Sequence, residues 1–337
     1  MRSLATFGLI LLMVLVSAIS KAQIGGNQSF EFLNLPSSAK VAGLGGNNIS
    51  LFDNNVNMFN ANPALLNNKH NGIASASYSI LPGSIGFSNV SYAHNFDSVG
   101  IFGASVQYLD YGLIQGYDET GLPTTDFRPK EYAVTISHAR QANQFRFGIS
   151  TKVAGSYYGE ATATALLFDI GSAFIHPYKD FIVALTINNI GLMLSDFNPV
   201  VQSKLPFDVR VGTSIKPEHM PVRFSVTIAN LNHWNLINNA IYEDQRLYFF
   251  NNTFSHVKIG SEFILSKQVS ILLGYNHLLR QEMRLESNVE FSGITMGLHI
   301  GVKAFNFSYA LGGFHKAGNM HSFSFIIDLE KLIKKGV

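Results

Sequence analysis

The sequence predicts an all-β fold, a 14-stranded antiparallel transmembrane β-barrel with an N-terminal plug segment. Three observations predict it. Segments of about ten residues alternate apolar with polar, the composition is poor in charge, and short connections alternate with long ones. The clearest alternation is Ile294-Thr295-Met296-Gly297-Leu298-His299-Ile300-Gly301-Val302. One parity is bulky and apolar (Ile294, Met296, Leu298, Ile300, Val302), and the other is small or polar. Successive side chains of a strand point to opposite faces, so this pattern makes one apolar and one polar face. A soluble sandwich would pack the apolar face on a second sheet, whereas a membrane barrel would show it to lipid.

Charged residues are 14% of the chain, against about 25% in soluble domains. Aromatics reach 12%, with 27 Phe, 13 Tyr and one Trp, beside 29 Gly. No run of apolar residues is long enough for a transmembrane helix, so strands must do any crossing. The absence of Cys excludes disulfides, thiolate metal sites and a Cys nucleophile. A net charge of +2 gives no field argument for nucleic acid.

Taken in order, residues 1–22 read as a secretory signal peptide: Arg2, an apolar run from Phe7 to Val16, and Ser20-Lys21-Ala22 before Gln23. Residues 23–71 do not alternate and are rich in Asn, Gly and Ser. Their apolar members Phe30, Phe32, Leu33 and Leu44 predict a plug or hatch inside the lumen, since fourteen strands enclose more space than wall side chains fill. Strands are predicted over 72–80, 84–95, 98–111, 130–141, 144–156, 162–176, 179–190, 205–216, 221–231, 255–266, 268–278, 289–302, 305–313 and 320–329, so the barrel spans 72–329. Most have the length that a tilted strand needs to cross hydrocarbon. In them Val209, Val211 and Ile215 oppose Asp208, Arg210 and Ser214; Phe224 and Val226 oppose Arg223 and Ser225; Ile259 and Phe263 oppose Lys258 and Glu262. Even-numbered connections are short (95–97, 141–143, 176–179, 216–220, 266–267, 303–304). Odd-numbered ones include the long loops 112–129, 191–204, 232–254 and 279–288, with Leu81-Pro82-Gly83 a short exception. Short periplasmic turns, longer outer loops and an even strand count put both termini in the periplasm, including the basic tail 330–337. Tyr92, Phe96, Phe102, Tyr108 and Tyr111 near strand ends predict interfacial girdles.

Chemistry-bearing patterns are weak. Ser37-Ser38-Ala39-Lys40 matches Ser-x-x-Lys, but no α/β domain surrounds it and no Ser-Asp-Asn accompanies it, so no catalytic residue is assigned. The eleven His are scattered, none at metal-ligand spacing, so no metal or cofactor is expected. Ala42 to Gly46 lacks the Lys-Ser/Thr of a phosphate loop, and Gly45 and Gly46 suit a tight path inside the lumen. The inward charges Arg146, Lys152, Asp169, Asp208, Arg210, Arg223, Lys258 and Glu262 could line a channel or pair with the plug; pairing is the expectation.

The blocks Gln23 to Asn27, Phe30 to Lys40 and Ala42 to Ser50 resemble the start of PorQ-type outer-membrane proteins of type IX secretion systems in Bacteroidetes. Those belong with PorV among barrels similar to the FadL long-chain fatty-acid transporters. Asn62-Pro63-Ala64-Leu65, preceded by Asp53, resembles the Asn-Pro-Ala element that begins the barrel in that superfamily. The resemblance covers residues 23–65 by motif and the remainder by architecture; the charged end at Val337 departs from barrels that close on a terminal Phe. It implies a non-enzymatic outer-membrane component in a Gram-negative bacterium. Such a barrel holds a cell-surface attachment complex with PorU, PorV and PorZ that displays cargo on lipopolysaccharide. The alternative is a FadL-like channel for hydrophobic small molecules.

Overall fold

The protein, seen in a computed structural model, is described over residues 28–118, 120–197, 203–237, 244–282, 291–315 and 318–333. The expected signal peptide, residues 23–27 of the N-terminal block and the last four residues of the tail lie outside the described residues.

Fourteen strands form one closed antiparallel ring. They are β1 (Ile73–Leu81), β2 (Ile85–Phe96), β3 (Gly100–Asp110), β4 (Lys130–Ala142), β5 (Phe145–Tyr158), β6 (Ala161–Ile175), β7 (Asp180–Ser195), β8 (Asp208–Lys216), β9 (Val222–Ile228), β10 (Val257–Ile264), β11 (Val269–Asn276), β12 (Ile294–Val302), β13 (Phe305–His315) and β14 (Gly318–Asp328). Each pairs with its neighbours in the chain, and β1 closes on β14 with Ile73 opposite Asp328. Closure leaves no unpaired strand edge, which hydrocarbon demands. The Ser-rich β1, weakly amphipathic in sequence, supplies the seam: Ser77 Oγ lies 2.8 Å from Ser324 Oγ, and Ser79 Oγ lies 2.7 Å from Ser322 Oγ.

The two faces separate as the alternation requires. Val90, Val106, Ile136, Phe147, Ile149, Leu185, Phe224, Ile271, Leu298, Phe307 and Phe325 are exposed on the outside all around the ring. Their neighbours Asn89, Gln107, Thr135, Arg146, Ser150, Thr186, Ser225, Ser270, Ser308 and Ser324 are buried within. Packing a second sheet outside this wall would bury the apolar parity, and among the described residues none does. The two termini of the ring share one end with connections of five residues or fewer. The opposite end carries 111–129, 196–207, 229–256 and 277–293, beside short connections over 82–84, 159–160 and 316–317.

Inside the ring runs the N-terminal segment. It contains helix α1 (Ala39–Gly43) and single 3-10 turns at Glu31–Asn34, Val56–Asn60, Pro63–Leu65 and Asn68–His70. Its abundant Asn has a local cause. Asn55, Asn62 and Asn67 each cap a 3-10 turn by accepting a backbone N–H two residues on. Val41, Leu44, Ile49, Leu51, Met58 and Leu65 bury against the inward Ala173, Ile182, Ala184 and Leu272.

The ring differs from the sequence reading in detail. β7 continues to Ser195, beyond the predicted 190, while β8, β9 and β10 are shorter than predicted. Among the described residues, the long loops hold two helices that the alternation test could not reveal, α2 (Gln245–Ser255) and α3 (His277–Glu282); a third, α4 (Leu329–Ile333), follows β14. Tyr111 is not in an outer girdle. It falls on the inward parity, and its hydroxyl donates to Glu131 Oε2 at 2.9 Å. Tyr92, Phe96 and Tyr108 are exposed on the outside.

Candidate binding cavity and lumenal charges

Two glycine windows in the inner wall receive the N-terminal segment. Gly148 and Gly171 face each other across β5 and β6. A Cβ on Gly148 would lie 2.3 Å from the Pro63 carbonyl carbon, and one on Gly171 would lie 2.1 Å from Asn62 Oδ1. Gly260 and Gly274 face each other across β10 and β11. A Cβ on Gly274 would lie 2.1 Å from the Gly45 nitrogen, and one on Gly260 2.9 Å from the Leu44 oxygen. Backbone meets backbone at both windows, and only glycine leaves the room. Gly45 itself turns with φ +94° and Gly46 with φ +83°.

The Asn62-Pro63-Ala64 step is therefore a docking turn. Asn62 Oδ1 caps the Ala64 N–H at 3.0 Å and its Nδ2 donates to the Ile49 carbonyl at 2.9 Å. Arg146 holds the other end: Nε donates to the Ala64 carbonyl at 2.9 Å and Nη2 to the Leu66 carbonyl. Gly45 donates its N–H to Thr295 Oγ1 at 3.1 Å. Ser50 Oγ lies 2.7 Å from Ser214 Oγ, and Asn57 Nδ2 donates to Ser75 Oγ at 2.7 Å.

Lumenal charges form chains. Lys40 Nζ lies 2.8 Å from Asp53 Oδ2 and 2.7 Å from Glu262 Oε1. Arg223 joins Glu262 at 2.8 Å and reaches Asp180 at 3.0 Å. The sequence reading named Arg223 and Glu262 but missed that Lys40 and Asp53 complete the chain, because nothing local marks which wall residue a lumenal segment meets. Burial opposes a charge on Asp53, yet Lys40, its hydrogen bond and the Asn55 N–H outweigh it and hold the carboxyl at about 2. In the Ser-x-x-Lys match, Lys40 is thus committed to carboxylates, while Ser37 Oγ donates to the Asn57 carbonyl at 3.1 Å and Ser38 caps α1.

A second cluster stiffens an irregularity between β6 and β7, where the register shifts between Phe168 and Ile170. Asn189 adopts φ +58° and donates its N–H to Asp169 Oδ1 at 2.8 Å. Lys152 Nζ sits 2.6 Å from Asp169 Oδ2, an ion pair without hydrogen-bond alignment, and donates to Asn189 Oδ1 at 3.0 Å.

Toward the long-loop end lies a cavity of about 730 Å³. Gly45, Gly46 and Asn47 of the segment line it together with Leu205, Phe207, Leu236, Leu278 and Leu279 from the loops. Asp208, Arg210 and Lys258 enter from the wall. Arg210 pairs with Asp208 and donates to Asn34 Oδ1 at 2.7 Å. Lys258 is only 8% exposed and makes no hydrogen bond or ion pair with any described residue. Glu31 and Glu282 also line the cavity, and burial raises both carboxyls toward the neutral form against the pull of Asn34 and Lys258 respectively. The cavity is therefore a chamber of mixed lining in which the buried Lys258 ammonium contacts no described carboxylate directly. Among the described residues no group of three His, Asp or Glu is placed to hold a metal ion.

No family model matches this chain, and no curated protein does. Among solved structures it is similar to the toluene transporter TodX of P. putida, with TM-score 0.55 and 11% identity over 88% of this chain and 99% of that one. It is also similar to the deltaS2 mutant of the TodX monoaromatic hydrocarbon channel, with TM-score 0.52 and 12% identity over 87% and 98%. A Pseudomonas aeruginosa FadL homologue gives TM-score 0.51 and 8% identity over 87% and 98%. At such identities the likeness is one of fold: a closed 14-stranded barrel of the FadL-like type.

Proposed function

We propose that this chain is a non-enzymatic outer-membrane channel that takes small, mainly apolar molecules bearing an anionic group from the long-loop side. Lys258, buried in the cavity of about 730 Å³ without a direct contact to any described carboxylate, carries the proposal. A buried ammonium group that no described carboxylate contacts directly gains from a ligand that brings one. The apolar wall from Leu205, Phe207, Leu278 and Leu279 would take the remainder of such a ligand. The exposed apolar belt fits lipid, with both termini on the periplasmic side, and the N-terminal segment serves as the plug beneath the cavity. The fold likeness to channels named for toluene and monoaromatic hydrocarbons supports this reading.

Titration of the purified barrel with benzoate and with toluene tests it. Benzoate is expected to bind, and Lys258→Met to weaken it roughly 10- to 100-fold, the loss of one charged hydrogen bond. Toluene binding should change little. Absence of binding by either molecule, together with unchanged uptake in cells lacking the gene, would reject the channel.

A second reading rests on the N-terminal block. Phe30 to Ser50, the part resembling PorQ-type proteins, includes Ser38, Lys40 and Gly45, which seat the segment. In that reading the barrel holds PorU, PorV and PorZ at the surface for attachment of cargo to lipopolysaccharide. Co-purification of these proteins, and loss of cargo display on gene deletion with uptake unaffected, would favour it over the channel.

A further inference from the structure

Helix α2 is built inside out for a helix in water. Its buried residues are polar: Asn252 is 1% exposed and Ser255 is fully buried. Asn252 Oδ1 accepts the Leu236 N–H at 2.9 Å, and its Nδ2 donates to the Trp234 carbonyl at 2.6 Å. Beyond Gln245 and Arg246 at its start, the exposed residues are apolar: Leu247, Phe250 and Phe254 share one face at spacings of three and four, and Phe249 lies 61% exposed beside them. Water penalises that arrangement, while lipid favours it. The same inversion defines the outer wall of the barrel, where apolar side chains face out and polar ones in.

The aromatic face is continuous with that wall. Phe250 and Phe254 rings lie 4.5 Å apart, and Phe254 meets the His277 ring edge-on at 6.1 Å. His277 Nδ1 lies 2.7 Å from the hydroxyl of Tyr275, which stands on the outward parity of β11 above Leu273 and Ile271. The exposed Trp234 stacks on His256 at 5.1 Å and approaches Phe249 at 6.4 Å. We infer that α2 and Trp234 form a membrane-anchoring surface, lying on the outer leaflet with Leu247, Phe249, Phe250, Phe254 and the Trp234 ring among the lipid acyl chains. Trp and Phe at the boundary between headgroups and acyl chains suit that position.

The chain supplies its own probe, since Trp234 is its only tryptophan. The full barrel is placed in phosphatidylcholine nanodiscs made with or without brominated acyl chains. Brominated lipid is expected to lower Trp234 fluorescence roughly two-fold, while aqueous iodide quenches it little, as for an interfacial aromatic. The double substitution Phe249→Ser, Phe250→Ser should shift emission to the red and abolish most lipid quenching. Strong iodide quenching with none from brominated lipid would overturn the inference, and so would a double variant that keeps its lipid quenching. A heat-dependent gel shift of each sample reports the barrel separately: a wild-type protein without it would sink the membrane barrel, and a variant without it would be replaced by Phe250→Ser alone.

Discussion

Lys40 joins two carboxylates from different parts of the molecule, Asp53 of its own segment and Glu262 of the wall. Removing the ammonium leaves Asp53 buried without an ion pair and Glu262 with Arg223 alone. Lys40→Met should therefore cost about 3–5 kcal/mol of barrel stability, read as a lower denaturant midpoint in micelles. An unchanged midpoint would show that the pairs are incidental. Asp53 adds a dependence on pH. Its carboxyl is held at about 2, below its ordinary value of 3.8. A carboxyl lowered by folding stabilises the native state above the unfolded value, and that contribution disappears as pH falls through the folded value. Wild-type protein should accordingly lose stability between pH 4 and pH 2. Asp53→Asn should be less stable at pH 6 but show a flatter profile over that window. A profile as steep as wild type would place the acid loss elsewhere.

At the scale of elements, the paired glycines decide where the lumenal segment can sit. Gly171→Val would drive a branched side chain into Asn62 and Pro63. Overpacking of this kind costs about 1–3 kcal/mol. The cost falls on the docking turn, because β5 and β6 keep their ladder. Trypsin should then cut near Lys69 or Lys40 in a barrel that still shifts on heating, whereas Gly83→Ala, at a turn with open space around it, should leave the segment protected. Equal protection in both variants would refute the window. The strands themselves were legible in the sequence because each residue of a lipid-facing wall reports its own side, as in Ile294 to Val302. Asn62-Pro63-Ala64 and the inward parity of Arg146, Asp208, Arg210, Lys258 and Glu262 could also be read from the sequence. Gly148 and Gly260 stood on the inward parity too, and pairing them with Gly171 and Gly274 needed only the register between adjacent strands. The partners in the segment could not be read, since Lys40 and Glu262 are 222 positions apart in the sequence and no periodicity links them. Helix α2 escaped for another reason: its apolar face points outward, so a search for strand alternation sees only a loop with Phe249 and Phe250 in it.

For the whole molecule, the proposed channel requires a ligand to leave a cavity whose floor is the chain's own N-terminal segment. That segment touches the wall on many sides, at Ser324, Thr295, Ser214, Arg146, Ser105 and Ser75. Contacts so distributed tie the segment across the lumen from many sides, and in the proposed channel it is the plug. Passage through the lumen then requires the segment to shift, and the cysteine-free sequence allows a direct test. Ser50 Oγ and Ser214 Oγ are 2.7 Å apart, close enough for Ser50→Cys and Ser214→Cys to bridge segment and wall. Reduced, the double variant should take up ligand at the wild-type rate. Oxidised, with the segment tied to β8, it should stop, and a reductant should restore uptake. The Ser50→Cys single variant under the same oxidant controls for chemical damage. Arrest and recovery together would assign the segment the part of a moving plug. Full uptake through a completely cross-linked barrel would rule out movement of the segment at Ser50 and would direct attention to the wall, first to the shifted register between β6 and β7 that Lys152, Asp169 and Asn189 hold together.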